Sequence, residues 1–191
     1  MKKAKSIGDC GEDCSSRTHS IPHSTRNDKL HETLVKVQGS TFKSSRTMAI
    51  PRGLRNCNPL NIRRSKDQWK CLLPEQNDKS FYQFKAMEWG YRAAFRLLRT
   101  YRVKYHRTTI RTIIERWAPP NENNTQAYID RVCKEMDAPP HFILNIGSLE
   151  DDDTYWACEF VRAMALVENG NACADLIRRE EIRKGYELAF L

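Results

Sequence analysis

The sequence predicts a mainly helical α+β domain, in which a small β-hairpin lobe precedes about five helices and a disordered polar tail precedes the lobe. Three observations predict this order. The composition changes near Met48, apolar and polar side chains alternate in a short stretch near residue 80, and apolar residues then recur every three or four positions. No repeat with a period of about 20 to 50 residues is present, which argues against a solenoid.

Residues 1–47 are predicted to be the tail, and residues 48–191 the folded domain. The tail has nine basic and five acidic side chains, and therefore carries +4 of the total formal charge of +8, with Phe42 as its one aromatic residue. A polar segment with so little apolar surface cannot offset the entropy cost of folding. Met48 is a second candidate start of the protein, the alternative being a genuine flexible arm.

Neither export nor metal binding is indicated. The basic N-terminus has no apolar run behind it, and no stretch approaches the roughly 20 apolar residues of a membrane span. The seven cysteines are odd in number and predict reduced thiols. Cys10, Cys14, His19 and His23 could ligate zinc, but the short link between the two pairs favours a polar tail without metal. We expect no cofactor.

The lobe is predicted from turn residues and two short strands. Glycine, asparagine and proline punctuate residues 51–67, where each favours a turn for its own backbone reason. Residues 69–73 and 80–85 are typical of strands, and the polar link between them predicts a hairpin. In the second strand, Tyr82 and Phe84 should share one face, and Phe81, Gln83 and Lys85 the other.

The helices are predicted from apolar stripes and their end signals. The predicted segments are Glu88–His106, Thr109–Ala118, a helix capped by Asn124 or Thr125 and closed before Pro139, a helix from Asp151 to Gly170, and a weaker one from Ala172 to Leu188. Proline cannot continue a helix, which explains the end near Pro119. Aspartates favour the start at Asp151 because they complement the helix dipole.

Carboxylates and amides are the candidate functional groups of residues 48–191. The sequence shows neither a Ser/His/Asp or Cys/His arrangement for nucleophilic catalysis nor a cluster of metal ligands there. Glu168 is the most suggestive carboxylate. It ends an apolar helix before Asn169-Gly170, and partial burial would favour the protonated form that a general acid needs. The alternative is an ordinary carboxylate near a helix end. Glu122 could likewise bind a ligand or serve a helix cap.

Asparagines near the lobe could hydrogen-bond a ligand, with turn stabilisation as the alternative. The wider motif string is Pro51-Arg52-Gly53-Leu54-Arg55-Asn56-x-Asn58-Pro59-x-Asn61-Ile62-Arg63, Trp69, Phe81-x-x-Phe84, Gly90-Tyr91-Arg92-Ala93, Thr109-Ile110 to Trp117-Ala118-Pro119, and Glu122-Asn123-x-Thr125-x-x-Tyr128. This string resembles a family of phage and prophage proteins that are usually labelled virion structural proteins. It is more distantly similar to lysozyme-like glucosaminidases and lytic transglycosylases.

The resemblance implies a lysozyme-like fold for residues 48–191 and a virion-associated protein that binds peptidoglycan. It implies a sugar groove lined by Asn58, Asn61, Trp69 and Tyr91. Glu122 is a further candidate for contact with the ligand. Glu168 would protonate the glycosidic oxygen in a route with one carboxylate. In the similar enzymes the catalytic glutamate precedes the lobe, so Glu168 could serve only if the helix order is permuted.

Three functions remain open at this point. The first is binding and cleavage of peptidoglycan, and the second is a non-catalytic structural or assembly role beside other virion proteins. The third is nucleic-acid binding through the basic residues near Arg63 and Arg96, which the modest charge of residues 48–191 disfavours. We expect the protein in the virion, or in the bacterial cytoplasm before assembly, without a membrane anchor.

Overall fold

A computed structural model describes residues 49–191. The tail predicted for residues 1–47, including its four possible zinc ligands, lies outside the described residues. The proposed start at Met48 stays a prediction.

Helices provide the regular structure of the described residues. They are α1 (Arg52–Arg55), α2 (Met87–Tyr105), α3 (Ile110–Trp117), α4 (Thr125–Met136), α5 (Asp151–Asn169) and α6 (Arg179–Phe190), with a 3-10 helix at Asn171–Leu176. Helix α2 packs mainly against α6, α5 contacts both α4 and α6, and α3 packs on α4. The predicted mainly helical class is confirmed.

The predicted hairpin is not a regular ladder, because residues 49–191 contain only isolated β-bridges. Leu72 and Phe84 form one antiparallel bridge, and Arg63 and Phe81 form another. The carbonyl of Gln83 still accepts the N–H of Leu73 at 2.9 Å. The pairing stops there because the N–H of Gln83 donates to Gln76 Oε1 at 2.8 Å, and the carbonyl of Leu73 accepts from Gln76 Nε2 at 3.0 Å. We call residues 56–85 the lobe.

The alternation predicted for the second strand is confirmed despite the missing ladder. Tyr82 and Phe84 are buried, whereas Phe81 and Gln83 are half-buried and Lys85 is exposed. The backbone follows an extended path between two neighbours, because Tyr82 N–H donates to the carbonyl of residue 62 and Lys85 N–H to that of residue 71. Extended backbone is sufficient to place alternate side chains on opposite faces.

Helices α2 and α6 form the closest helix pair. Tyr91, Phe95 and Leu98 of the predicted stripe are fully buried, and Phe95 meets the ring of Tyr186 edge-on at 5.0 Å between centroids. Gly185 allows the close approach, since a Cβ atom there would lie 2.5 Å from the Cβ of Tyr91. The stripe therefore defines the packing face, and the glycine sets its distance.

The ends of α3 and α4 follow local capping rules. Thr109 caps α3 in a capping box with Thr112, and Asn124 caps α4 by accepting the N–H of Ala127 at 3.1 Å. These caps satisfy backbone N–H groups that a helix start leaves without partners. Of the two predicted caps of α4, Asn124 is the one observed.

The C-terminal region differs from prediction at one point. Helix α5 begins at Asp151 and is closed by Gly170 at φ 82°, as expected from the acidic start and the glycine. The single helix predicted for residues 172–188 is instead a 3-10 helix followed by α6, which runs to Phe190. Cys173 departs from helical geometry, and Gly185 lies inside α6 at the contact with α2, not at the end of the helix.

Candidate functional site

A groove of about 350 Å³ lies where the lobe meets the ends of α3 and α5. Glu168, in the last turn of α5, is half-buried in this groove. The other lining residues are Leu60, Asn61, Ile62, Arg63, Ser65, Asp67, Phe81, Leu97, Tyr101, Trp117, Ala118, Glu122 and Asn123. Aromatic and charged side chains thus share one concave surface with a single helix-end carboxylate.

Three donors from three separate segments hold the Glu168 carboxylate. Its Oε1 accepts the Trp117 indole N–H at 3.3 Å and the Tyr128 hydroxyl at 3.1 Å. Its Oε2 accepts the Asn61 amide at 2.9 Å. The carboxylate therefore joins the lobe to the end of α3 and to α4.

Tyr128 is a permanent donor in this set. Burial raises the pKa of its phenol well above the ordinary value, and the neighbouring charge of Glu168 and the hydrogen bond between the two groups raise it further. The phenol therefore keeps its proton at any ordinary pH, and it can donate that proton to the carboxylate in a hydrogen bond.

The end of α5 also anchors the lobe beneath the groove. Asn169, next to Glu168, donates to the carbonyl of Pro59 at 2.7 Å and to that of Ala165 at 2.9 Å. Gly53 fits beside it without a side chain, since a Cβ there would lie 2.7 Å from Asn169 Oδ1 and 2.9 Å from Asn61 Oδ1. The sequence Glu168-Asn169 therefore fixes both the carboxylate and the loop that contacts it.

Asn61 reaches Glu168 from a left-handed backbone conformation with φ 51°. Asparagine tolerates this region better than most residues that have a Cβ. The turn is stabilised by Asn58, whose Oδ1 accepts the N–H of Ile62 at 2.9 Å and whose Nδ2 donates to the carbonyls of Ile62 and Tyr82. One asparagine thus shapes the turn while the other contacts the carboxylate.

The predicted site residues divide into two groups. Glu168, Asn61 and Glu122 line the groove. Asn58 and Tyr91 do not line it, because both are fully buried, and half-buried Trp69 packs against the core outside it. These last three residues have turn and core contacts in the structure, and the sugar contacts that the resemblance implied for them stay a prediction.

Several groove residues were not anticipated from the sequence. Trp117 lines the groove and Tyr128 lies outside its lining, and the polar tips of both side chains donate to Glu168. Arg63 reaches across to Glu122 at 3.2 Å, and Asp67 adds a third carboxylate to the groove lining. Only the presence of Trp117 and Tyr128 in the motif string hinted at a shared role.

A larger cleft of about 560 Å³ lies elsewhere, between the first half of α5 and the start of α6. Its lining includes Tyr155, Cys158 and the ion pair of Glu159 with Arg179 at 2.8 Å. Burial raises the pKa of Cys158 to about 12, with a smaller effect of Glu159 in the same direction, so its thiol is not poised as a nucleophile. The larger cavity therefore lacks the organised chemistry of the groove.

Comparison with known proteins identifies one relative with high coverage. Protein P5 of Pseudoalteromonas phage PM2 is 42% identical over 142 residues, which cover 73% of this chain and 82% of the relative. The chain belongs to the family of this phage protein. No protein-family model matches the chain. The phage relationship predicted from the motif string is thereby confirmed.

Two further searches of the described residues are negative. Residues 49–191 contain no group of three or more histidine, cysteine, aspartate or glutamate side chains arranged to hold a metal ion. Within the same range, no helix combines the length and the apolar character needed to cross a bilayer.

Proposed function

We propose that this phage P5-family protein binds peptidoglycan and cleaves its glycan strands, with Glu168 as the general acid. The observation that carries the proposal is the half-buried Glu168 carboxylate, held by three donors at the side of a groove between the lobe and the helices. A positioned carboxyl group beside a concave surface is the minimum that acid-assisted cleavage of a glycosidic bond requires.

The two oxygens of Glu168 suit different tasks. Oε1 accepts two hydrogen bonds and is the anchored atom, whereas Oε2 accepts one, from Asn61. The remaining lone pair of Oε2 is the site at which a transferable proton would be carried. Asn61 would then orient the carboxyl group, and a substrate oxygen could approach from the groove.

The groove lining suits a sugar chain that carries charged substituents. Trp117, Tyr101 and Phe81 offer aromatic surface, on which the apolar faces of sugar rings can pack. Arg63 and Glu122 provide exposed charges of both signs at the rim. Binding sites of this kind combine an apolar wall with a few placed polar groups.

The reaction can proceed with one carboxyl group. Glu168 gives its proton to the glycosidic oxygen as the bond between that oxygen and the anomeric carbon breaks. A hydroxyl group of the same sugar then attacks the anomeric carbon and returns its proton to Glu168. The product is an internal anhydro sugar, lighter by one water than the product of hydrolysis.

The test compares the full-length protein with Glu168→Gln on purified, dye-labelled peptidoglycan. We expect Glu168→Gln to release dye about 100-fold more slowly or worse, because general acid catalysis typically contributes at least that factor. Glu115→Gln is the matched control, since Glu115 is exposed on α3 and does not line the groove. Mass spectrometry of the released sugars distinguishes the anhydro product from the hydrolysed one. Equal release by the parent and Glu168→Gln would exclude Glu168 as the acid.

A non-catalytic assembly role is the second candidate. The observation that favours it is that both Glu168 oxygens already have partners within the protein, as in a residue that joins segments together. This role predicts no dye release by the parent and a clear loss of thermal stability in Glu168→Ala. It also predicts that the protein co-purifies with other proteins of the phage particle.

A further inference from the structure

A long stretch of the chain contains basic residues and no acidic ones. Between Glu88 and Glu115 there is no aspartate or glutamate. The same stretch has seven basic residues: Arg92, Arg96, Arg99, Arg102, Lys104, Arg107 and Arg111. The stretch covers nearly all of α2 and the start of α3, so the positive charge is concentrated on one part of the fold.

The structure turns part of this charge toward solvent. Arg96, Arg99 and Lys104 are exposed on α2, and Arg107 is exposed just beyond its end. We call these four residues the basic face. A shallow hollow of about 210 Å³ lies along it, lined by Arg96, Arg99, Lys104, Thr100 and Val103. The groove uses Leu97 and Tyr101, which lie on another side of the helix.

No carboxylate within residues 49–191 forms an ion pair with the basic face. Arg96 instead donates to the carbonyl of Ala189 at 3.2 Å, at the end of α6. That bond satisfies a helix-end carbonyl but leaves the charge of the guanidinium uncompensated, and it occupies one of five N–H donors. The face therefore retains both positive charge and donors for an anionic partner.

The composition of the face favours phosphate groups. Three of its four residues are arginines, whose planar donors match phosphate oxygens in pairs. From Arg96 to Lys104 the helix rises about 12 Å, a length over which more than one phosphate of a strand can be contacted, and Arg107 lies just beyond the helix end. A repeating polyanion fits such a row better than a single small anion.

The apolar side of α2 argues against insertion into a membrane. Tyr91, Phe95 and Leu98 are fully buried in the core, so the helix has no free apolar stripe to place among lipids. Val103 and the ring of Tyr105 are the large apolar side chains exposed between the charged residues of the face, too few for an apolar stripe. We propose that the basic face binds a nucleic-acid strand through its phosphates, independently of the groove at Glu168.

The test measures binding of the full-length protein to a fluorescein-labelled oligonucleotide, single-stranded and as a duplex, by fluorescence anisotropy. The variant Arg99→Gln with Lys104→Gln and Arg107→Gln removes three charges from the face. We expect the variant to bind about tenfold more weakly or worse at about 50 mM salt. Its slope of log K against log[salt] should be smaller by about 2, because each lost phosphate contact removes about 0.7 for a single strand.

The control removes three positive charges elsewhere, through Lys79→Gln, Lys85→Gln and Lys134→Gln. All three lysines are exposed, and we expect the control to bind within about twofold of the parent. Equal weakening in both triple variants would overturn the proposal, because net charge alone would then explain binding. Unchanged binding in the first variant would also overturn it, since the strand would be held elsewhere in the chain.

Two further measurements complete the test. Circular dichroism melting of both triple variants confirms that they fold, and the pair Lys104→Gln with Arg107→Gln is the reserve variant should the triple unfold. Vesicles with anionic lipid are the second ligand, and binding to vesicles without binding to the oligonucleotides would overturn the proposal. Glu168→Gln should keep full oligonucleotide binding, so the failure of one proposal leaves the other intact.

Discussion

The lobe and the pair formed by α2 and α6 hold their shapes in different ways. In the lobe, polar side chains replace regular structure: Asn58 bonds three backbone groups, and Asp78 accepts from Arg52, from Asn56 and from two backbone N–H groups. In the helix pair, apolar rings interlock around Gly185. A segment without a strand ladder must satisfy its buried backbone groups with side chains, whereas a helix satisfies its own.

The difference teaches where each region is vulnerable. Loss of the Asn58 amide leaves two buried backbone groups without partners, the N–H of Ile62 and the carbonyl of Tyr82, and each of these has a desolvation cost. In the helix pair, removed apolar atoms cost their burial free energy plus that of any cavity left behind, and added atoms force the two helices apart. Predictions for four residues separate stabilisation by polar side chains from stabilisation by apolar packing, from the largest expected effect to the smallest.

Asn58→Ala is the most severe test of the hydrogen bonds by which side chains stabilise the lobe. The N–H of Ile62 and the carbonyl of Tyr82 would lose their partner in a fully buried place, whereas the carbonyl of Ile62 would keep the N–H of Tyr82. We expect a loss of about 3 to 4 kcal/mol in the free energy of unfolding, measured by urea titration. Asn77→Ala, an exposed lobe position, is the control and should cost less than about 0.5 kcal/mol. A similar cost for both variants would contradict this account of the lobe.

Gly185→Ala tests the close apolar packing of α2 on α6 by adding one carbon atom. The new Cβ would meet Tyr91 Cβ at 2.5 Å and the carbonyl of Glu88 at 3.0 Å, so α2 and α6 would have to separate. We expect a loss of about 2 to 3 kcal/mol by the same urea titration. The sign of the change in unfolding free energy is informative, because replacing glycine by alanine in a helix without close neighbours would stabilise the protein by up to about 1 kcal/mol. An increase in stability would show that the helices are not in close contact there.

Asp78→Asn tests the charged part of the lobe network. The side chain of Asp78 is only 8% exposed, and the bidentate hydrogen bond from Arg52 is the main reason that the pKa of its carboxyl group lies well below the ordinary value. Asparagine keeps one acceptor oxygen but loses the charge, and we expect a cost of about 1 to 2 kcal/mol at neutral pH.

The same carboxyl group predicts a pH dependence with a definite sign. The pKa of Asp78 is lower in the folded than in the unfolded protein. The contribution of this carboxylate to the free energy of unfolding is therefore fully present above the unfolded pKa of about 3.9. The contribution is lost as the pH falls from there toward the folded value. Melting temperatures of the parent should therefore fall more steeply below about pH 4 than those of Asp78→Asn. Asp175→Asn, at an exposed position, should follow the parent.

Arg63→Gln should have the smallest effect on stability. Arg63 and Glu122 pair at 3.2 Å across the groove, but their side chains are 75% and 52% exposed. Exposed ion pairs contribute little because water and salt screen them, so we expect a change below about 0.5 kcal/mol. A larger loss would mean that the groove rim depends on this pair, and the contrast between the polar lobe and its exposed rim would then disappear.

The sequence determined the helical framework because its signals are local. Apolar residues at steps of three and four, the cap at Asn124 and the stop at Gly170 act within one or two turns, and the structure confirms the helices they predict. The alternation of Tyr82 and Phe84 was also readable, since it needs only extended backbone. Where a competing side chain acts, as Gln76 does on Gln83, the local pattern failed to predict the pairing.

Only the tertiary structure decided which side chains meet at Glu168. Asn61 lies 107 residues before it, Trp117 lies 51 and Tyr128 lies 40 residues before it. The same residue types suit a core, a turn or a site, as Tyr91 and Asn58 show by being fully buried. The helical period determines on which face of a helix a residue lies. The hydrogen-bond partner of its polar group is determined only when distant segments of the chain pack together, as for Trp117 and Tyr128. The sequence alone therefore indicated the carboxylate, and the folded chain supplied the donors that hold it.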